Sequence, residues 1–302
     1  MGITLYIGGQ SSTIQGEKQD LGGYRCFTAA YTRSYPETPT AIGLLDSGAF
    51  SDSPDKRLTL EAALLRQLRW ETSASKKLGT SWISHAIASY DLLIDEVWTG
   101  DNRVKRRWSV TDASFAVHQT VEAAKYLASQ RQYLQPRHLV LGCQGVDVRQ
   151  YRYCIEQVLK YAQAGDWIGL GGWCILGRRA SWLPVFFETL HQCIPLIATS
   201  PVKHVHIYGV MLDKALAPLL WMCDRFGLTA SCDSSRPILD CTRPDPQRAG
   251  VKHPYWRSNV RWWQNYLAAM RGSKFYREPE RLHEQLSIFD LGEFYVPRLR
   301  SR

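Results

Sequence analysis

Short apolar runs alternate along the chain with longer stretches whose apolar residues recur at helical spacing. The runs are bounded by Gly, Asp or Gln, which is typical of strands buried on both faces. Leu60, Leu64 and Leu68 exemplify the helical stripes, which recur near 117–128, 151–162 and 214–226. The predicted strands are Ile3–Ile7, Ile42–Leu45, Asp91–Ile94 together with the residues before it, Leu139–Leu141, Trp167–Leu170, Val205–Tyr208 and Leu228–Ser231.

Strand–helix alternation repeated this often predicts a parallel sheet with helical crossovers. We therefore expect an α/β fold, a TIM-like (β/α)8 barrel, closed by an eighth strand that the pattern does not locate. A doubly wound open sheet is the alternative, but no GxGxxG follows the first strand. The whole chain, 1–302, is expected to be one domain, with 236–302 a basic C-terminal extension that contains a helix around Val260–Met270.

Charge adds the expectation of a polyanionic partner. The chain of 302 residues is 45% hydrophobic and 22% charged, an ordinary globular composition, but its net charge is +9. From Arg236 onward there are 13 Lys and Arg against 7 Asp and Glu, so this quarter holds +6 of the excess. A second basic cluster comprises Arg103, Lys105, Arg106 and Arg107. Two such clusters favour a polyanion over a small anionic ligand.

The cysteines and the N-terminal residues predict a cytoplasmic protein. None of the eight cysteines forms a CxxC pair, and several lie in apolar runs, which is typical of reduced, buried thiols. The first residues have neither a basic segment nor a long apolar one, and no run approaches the length of a membrane helix. We therefore expect no membrane partner.

Chemistry-bearing residues follow the predicted strands. The active site of a parallel barrel forms at the C-terminal ends of its strands. The segments found there are Asp46-Ser47-Gly48-Ala49-Phe50, Ile94-Asp95-Glu96, Cys143-Gln144-Gly145, Gly169-Leu170-Gly171-Gly172, Ile207-Tyr208-Gly209-Val210 and Cys232-Asp233.

This set suits a planar heterocycle with hydrogen-bonding edges. Two carboxylates, Asp46 and Asp233, are available for nucleophilic attack and proton transfer at a glycosidic carbon. The remaining candidates are assigned to the base: Asp95 and Gln144 to its polar edge, Gly171 and Gly172 to close backbone approach, Phe50 and Tyr208 to stacking, and Ser47 to the same pocket.

In this order the six segments resemble the motifs of the tRNA-guanine transglycosylase superfamily. The resemblance spans roughly residues 40–236. It is nearest to the DNA-directed branch, the deazapurine DNA modification transglycosylases (DpdA family) of phages and bacteria. It implies a glycosyltransferase that uses no cofactor and exchanges guanine in DNA for 7-cyano-7-deazaguanine. Asp233 would be the nucleophile and Asp46 its acid/base partner. The related alternative is a tRNA enzyme of the queuosine or archaeosine type.

Four departures from the family pattern refine that expectation. The second Gly of the DSGG motif is Ala49, and the Met that packs on the base is replaced by Tyr208. The Glu that faces an aminomethyl group in bacterial tRNA enzymes is replaced by Arg178, which favours a neutral incoming base. The CxCxxC zinc motif is missing, so we expect no structural metal.

Basic residues are the candidates for binding the nucleic-acid backbone. A homodimer, or partner proteins of a DNA-modification system, are further expected partners. The backbone candidates are Arg236, Arg103, Arg106, Arg107, Arg243, Arg248 and Lys252.

Two other functions compete with base exchange. His204 and His206 form an HxH on one strand, as in metal-dependent TIM-barrel hydrolases, although no second His cluster accompanies them. The other rival is a barrel that binds nucleic acid without catalysis, against which the presence of both Asp46 and Asp233 argues.

Overall fold

Eight parallel strands close into a barrel in the computed structural model, which confirms the predicted TIM-like fold. Around the barrel the order is β1, β2, β3, β4, β7, β8, β9 and β10, and β10 pairs with β1. These strands are Thr4–Gly8, Tyr24–Thr28, Ile42–Asp46, Ala86–Ala88, His138–Cys143, Trp167–Leu170, His204–Ile207 and Thr229–Ser234. The structure describes residues 2–8, 23–30, 35–36, 38–52, 56–94, 96–99, 102–105, 108–177, 180–235, 237 and 256–279.

Helices cover the outside of the barrel, and an antiparallel hairpin interrupts one crossover. The hairpin strands are β5, Glu96–Thr99, and β6, Asn102–Lys105. They lie between β4 and α2, and therefore at the C-terminal rim. The helices are α1, Leu60–Leu78; α2, Val110–Ser129; α3, Arg131–Leu134; α4, Val148–Leu159; α5, Leu183–Ala198; α6, Asp213–Arg225; and α7, Trp256–Ala268.

The eighth strand is Tyr24–Thr28, which the apolar pattern did not locate. Its burial alternates, with Arg25 and Phe27 buried and the three residues between and beside them half-buried. Arg25 stays inside because its Nε donates to the Ile7 carbonyl, at 3.3 Å, and its guanidinium lies over the Phe27 ring. Because the strand contains a buried Arg and a Cys, it does not form the continuous apolar run by which the other strands were predicted.

The strand assigned to Asp91–Ile94 lies earlier, at Ala86–Ala88, so that part of the prediction is wrong. Residues 89–94 leave the sheet as a loop. Ile94 is fully buried there against Ala113 and Ala116 of α2. The apolar run therefore serves a loop that packs under a helix, and its hydrophobicity does not come from a strand.

Residues 256–279 complete the outer layer of the barrel. The Ile3 amide donates to the Leu267 carbonyl at 3.2 Å, which ties α7 to β1. Tyr266 donates to Asp213 at the start of α6, and Arg271 Nε donates to Asp224 near its end at 2.7 Å. This part of the presumed extension is thus built into the barrel. The segments 238–255 and 280–302 lie outside the described residues.

Two hydrophobic layers result from the alternation of side chains. Outward residues such as Leu139, Leu141 and Ile168 pack against the helices, while Tyr6, Val140 and Trp167 pack inside the barrel. Among the helices of the described segments, none has the length and apolarity needed to cross a membrane.

A buried ion pair fixes the N-terminal ends of two strands. Glu71 of α1 is 4% exposed and accepts from the Ser84 amide and from Arg137 Nε, each at 3.0 Å. Ser84 precedes β4 and Arg137 precedes β7. One carboxylate therefore fixes the positions of the residues at which both strands begin.

We predict that Glu71→Ala lowers the free energy of unfolding by about 3–5 kcal/mol, because it leaves the Arg137 charge buried without its partner. Glu61→Ala, at an exposed position of the same helix, is the matched control and is expected to cost at most about 1 kcal/mol. Urea unfolding of the two variants measures the difference. Equal small losses would show that the buried pair does not hold the strands.

Candidate active site

The C-terminal ends of the strands surround a cavity of about 440 Å³, within the usual range for small-ligand sites. Asp46 of β3 and Asp233 of β10 both line it, as the sequence predicted. So do Phe50, Gly171, Gly172 and Tyr208 from the base-binding set, and Asp91, which the sequence reasoning missed.

Asp46 is a carboxyl whose surroundings favour its protonated form. Burial, and then the negative charge of Asp233, raise the pKa of Asp46 to about 6. Backbone hydrogen bonds from Gly48, at 3.2 Å, and from Ser47 oppose this shift. A group with this pKa can both donate and accept a proton near neutral pH, which is what general acid/base catalysis requires.

The turn after β3 needs glycine at its first position. Gly48 has φ +81°, and a Cβ there would lie 2.8 Å from Arg66 Nη2. Ala49 follows in a short 3-10 turn and is buried. Ala49 therefore satisfies the turn, although the family motif has glycine there.

Asp233 is hydrogen-bonded through a single oxygen. Its Oδ1 accepts from the Gly209 amide at 3.0 Å and lies 3.2 Å from His206 Nε2. Gly209 has φ +65°, and a Cβ there would lie 2.5 Å from Cys174 Sγ, so only glycine brings this amide to the carboxylate. Within the described residues Oδ2 has no hydrogen-bond partner, and Asp233 lines the cavity.

Tyr208 lies among the carboxyl groups of the cavity. Burial, followed by the charges of Asp91, Asp46 and Asp233, raises the pKa of its phenol well above the usual value. The ring is therefore neutral, and its T-shaped contact with the His206 ring, at 4.8 Å between centroids, fixes it. Tyr208 offers a fixed aromatic face to a ligand.

Phe50 stands at the mouth on a braced loop and is 46% exposed. Arg66 donates to both Asp52 oxygens at 2.9 Å and to the Ser47 carbonyl at 2.6 Å. Tyr90 donates to Asp52 at 2.6 Å. These bonds connect the Phe50 loop to the loop after β4.

Asp91 occupies the strand-end position that the sequence reasoning gave to Asp95. It follows β4 by three residues, and its Oδ2 lies 3.5 Å from where a Cβ on Gly171 would stand. Its carbonyl accepts from Arg57 Nη2 at 2.6 Å. The misplaced strand caused the miss, because the run that precedes Asp95 is loop. Asp95 itself lies outside the described residues.

Ser47 and Gln144 are not among the residues that line the cavity. Ser47 is buried, and its hydroxyl accepts from the Ala49 amide at 3.4 Å. Gln144 is fully buried behind the glycines, where its amide nitrogen donates to the Leu92 carbonyl and, at 2.6 Å, to the Thr120 hydroxyl. Both side chains thus have structural partners.

Gly171 follows β8 directly, and both of its peptide groups are hydrogen-bonded within the barrel. The Gly171 amide donates to the Cys143 carbonyl at 2.8 Å, and the Gly171 carbonyl accepts from Tyr151 at 2.9 Å. The Gly171 peptide groups are therefore committed to the fold. Because Gly171 has no side chain, it leaves room beside Asp91.

The histidines of the HxH pair hydrogen-bond with hydroxyl groups. His204 Nε2 lies 2.7 Å and His206 Nδ1 lies 2.8 Å from Ser231 Oγ. Over the part of the chain that the structure describes, no group of three or more His, Cys, Asp or Glu is arranged to hold a metal ion. Likewise, the seven described cysteines are all free thiols.

Comparison with known protein families found no matching family. Comparison with curated proteins found no match either. The resemblance to the transglycosylase superfamily therefore stays a prediction from six short motifs, and the function has to be argued from the site.

The predicted polymer-binding residues cannot be placed in the same way. Arg103 lies on β6 of the rim hairpin, where only its backbone position is described. Arg178, on which the expectation of a neutral base depends, lies outside the described residues. So do Arg106, Arg107, Arg236, Arg243, Arg248 and Lys252.

We predict that Asp46→Asn stabilises the protein above pH 6. The pKa of Asp46 is raised in the folded state, so the folded protein gains stability from its protonation as pH falls through about 6, and lacks that gain above. Asn avoids the buried charge and still accepts from Gly48. Its advantage in urea unfolding should be about 1–3 kcal/mol at pH 7.5 and smaller by about 1–2 kcal/mol at pH 5.

Glu122→Gln, at an exposed position on α2, is the control and should leave the pH dependence unchanged. A stability difference between Asp46→Asn and the unmodified protein that does not vary with pH would contradict the raised pKa.

Proposed function

We propose that this chain is a nucleic-acid transglycosylase that exchanges guanine in DNA for 7-cyano-7-deazaguanine. The observation that carries the proposal is the pair of carboxyl groups in one cavity whose surroundings differ. Burial and a neighbouring charge raise the pKa of Asp46, whereas Asp233 is hydrogen-bonded through one oxygen and, among the described residues, has no partner on the other. Two carboxyls with divergent environments are typical of acid/base and nucleophile roles at a glycosidic carbon.

In the proposed reaction, Asp233 Oδ2 attacks C1′ of the target nucleotide. The bond from C1′ to the guanine nitrogen breaks, and the Asp46 carboxyl donates its proton to the departing base. The incoming base then gives its ring proton to the Asp46 carboxylate and displaces Asp233 from C1′. Two inversions retain the configuration, and Asp46 ends protonated as it began. A pKa of about 6 suits a group that must do both.

The remaining lining residues suit a purine. Asp91 can accept hydrogen bonds from the ring N–H and amino groups of guanine, a part that the sequence reasoning gave to Asp95. Tyr208 and Phe50 offer aromatic faces, one fixed inside the cavity and one at its mouth. A Cβ on Gly171 would lie 3.5 Å from Asp91 Oδ2, so glycine there leaves the space beside Asp91 to a ligand.

The rim hairpin supports a polymeric substrate. It lies after β4, on the same face as the cavity, and Arg103 and Lys105 lie on its second strand. A phosphate backbone held there would place a base over the cavity, and a base in a duplex would first have to leave the stack. The net charge of +9 agrees with this partner.

We predict that Asp233→Ala abolishes exchange of labelled guanine in DNA, because no attacking oxygen is left at C1′. Asp46→Asn should bind DNA normally but lose about 10²–10⁴-fold in rate, since it cannot carry the proton. Asp112→Asn, at an exposed position on α2, is the control for loss of a carboxylate. Undiminished exchange by Asp233→Ala would refute its assignment as nucleophile.

We also predict that DNA, and not tRNA, is the substrate. The chain lacks the zinc motif that accompanies tRNA recognition in the superfamily it resembles. The measurement is incorporation of labelled guanine, at one salt concentration, into duplex DNA, single-stranded DNA and unmodified tRNA. Incorporation into tRNA alone would defeat the DNA assignment and leave both aspartates in place.

A further inference from the structure

A continuous chain of hydrogen-bonding groups runs along the barrel axis behind Asp233. It alternates between β9 and β10, whose register pairs Thr229 with His204 and Ser231 with His206. His204 Nδ1 lies 2.6 Å from the Thr229 hydroxyl, and His204 Nε2 lies 2.7 Å from Ser231 Oγ. His206 Nδ1 lies 2.8 Å from the same Oγ, and its Nε2 reaches Asp233 Oδ1 at 3.2 Å.

The chain connects the two ends of the barrel. Thr229 is exposed at the N-terminal end, while Ser231 and His206 are completely buried. Four residues of extended strand separate Thr229 from Asp233, about 13 Å. Trp167 packs on His204 with 4.1 Å between ring centroids, and Tyr6 contacts the His206 ring edge-on at 6.1 Å. These rings fill the interior around the chain.

If both histidines are neutral, the hydrogen bonds along this series of side chains can run in either of two directions. In the first, Thr229 donates to His204 Nδ1, His204 Nε2–H donates to Ser231, Ser231 donates to His206 Nδ1, and His206 Nε2–H donates to ionised Asp233. In the second, every donor is reversed, and the Thr229 hydroxyl donates to the Lys203 carbonyl, 3.1 Å away. His206 Nε2 then faces Asp233 without a proton of its own, so the His206–Asp233 pair must hold one more.

We infer that this series of hydrogen-bonded side chains is a proton path from Asp233 to the opposite end of the barrel. In it, His206 is the residue that positions the Asp233 carboxylate. A proton on Asp233 passes to His206 Nε2 while His206 Nδ1–H passes to Ser231. The Ser231 proton passes to His204 Nε2, the His204 Nδ1 proton to Thr229, and the Thr229 hydroxyl proton to water. The net result is ionised Asp233 and one proton in solvent.

The path gives Asp233 a route for its proton to solvent when the mouth of the cavity is covered. A polymer bound over the mouth would separate Asp233 from bulk water on that side, yet the attacking carboxylate must be ionised. The role of the proton path in catalysis rests on the proposed function, whereas the path itself is inferred from the geometry alone. Hydrogen bonds from His206 and Gly209 on Oδ1 also fix which oxygen attacks.

Other titratable groups lie around these hydrogen-bonded residues, and the measurement must separate their effects. Burial, followed by the neighbouring His206, lowers the pKa of His204 to about 3, so His204 stays neutral between pH 5 and 8. The surrounding groups are Tyr6 of β1, Cys26 of β2, Asp46 of β3, Asp91 after β4, Tyr208 of β9, and His85 and His138 at the far end, while Cys232 of β10 faces the outer helices.

Nitrogen NMR of ¹⁵N-histidine-labelled protein tests the path through the tautomer of His204. We expect the Nε2–H tautomer at high pH. As the His206–Asp233 pair takes up its proton, His204 should change to the Nδ1–H tautomer with the same midpoint, although the two groups do not touch. A His204 tautomer that is constant across the titration of the pair would overturn the inference.

Two substitutions interrupt the chain away from Asp233. Ser231→Ala should uncouple the His204 tautomer from the titration of the pair. Thr229→Val should do so too, and because Thr229 is exposed, this variant keeps the test valid if Ser231→Ala does not fold. Thr229→Ser restores the hydroxyl and should restore the coupling. Persistence of the coupling in Thr229→Val would place the end of the path elsewhere and contradict it.

Base exchange supplies a separate readout. Ser231→Ala and Thr229→Val should each lower kcat by about tenfold or more, with KM unchanged, and move the acidic limb of the pH–rate profile. Thr229→Ser should recover kcat. If the protein exchanges no base, the proposed function fails while the tautomer measurement still decides the path. If exchange occurs and neither variant changes its pH profile, the path fails alone.

Discussion

Side-chain alternation along two adjacent parallel strands, β9 and β10, is the constraint on which the site depends. Because both strands point the same way and are in register, every second residue of each faces the barrel axis at matched heights. His206 therefore lies beside Ser231, and Asp233 reaches the rim one level above. A shift of one residue in either strand would turn the inward side chains of that strand outward.

The cavity at the C-terminal end of the barrel is lined by carboxyl groups, although the protein as a whole is basic. Asp46, Asp91 and Asp233 would repel a phosphate, so under the proposed function a nucleic-acid backbone would stay at the rim while a neutral base enters the cavity. Arg57 already stands near the rim, donating to the Asp91 carbonyl and lying over the Tyr90 ring. Separation of charge between rim and cavity thus favours a base over a phosphate inside.

The sequence predicted the barrel and both catalytic candidates because these depend on local signals. Short apolar runs marked most strands, and Asp46 and Asp233 each end or follow such a run. Tyr24–Thr28 escaped notice because Arg25 is stabilised by a contact with Ile7, which is distant in sequence. Asp91 was missed because Leu92 and Ile94 are apolar for packing under α2, a tertiary reason that strand periodicity cannot express.

Asp233 is proposed to form a covalent bond with C1′ of the sugar as guanine leaves. The most direct measurement is guanine release from DNA by the unmodified protein when no incoming base is supplied. The account predicts a burst of one guanine per protein molecule, after which release stops and DNA remains attached to the protein under denaturing conditions. Continuous release that leaves abasic DNA, or no release, would contradict it.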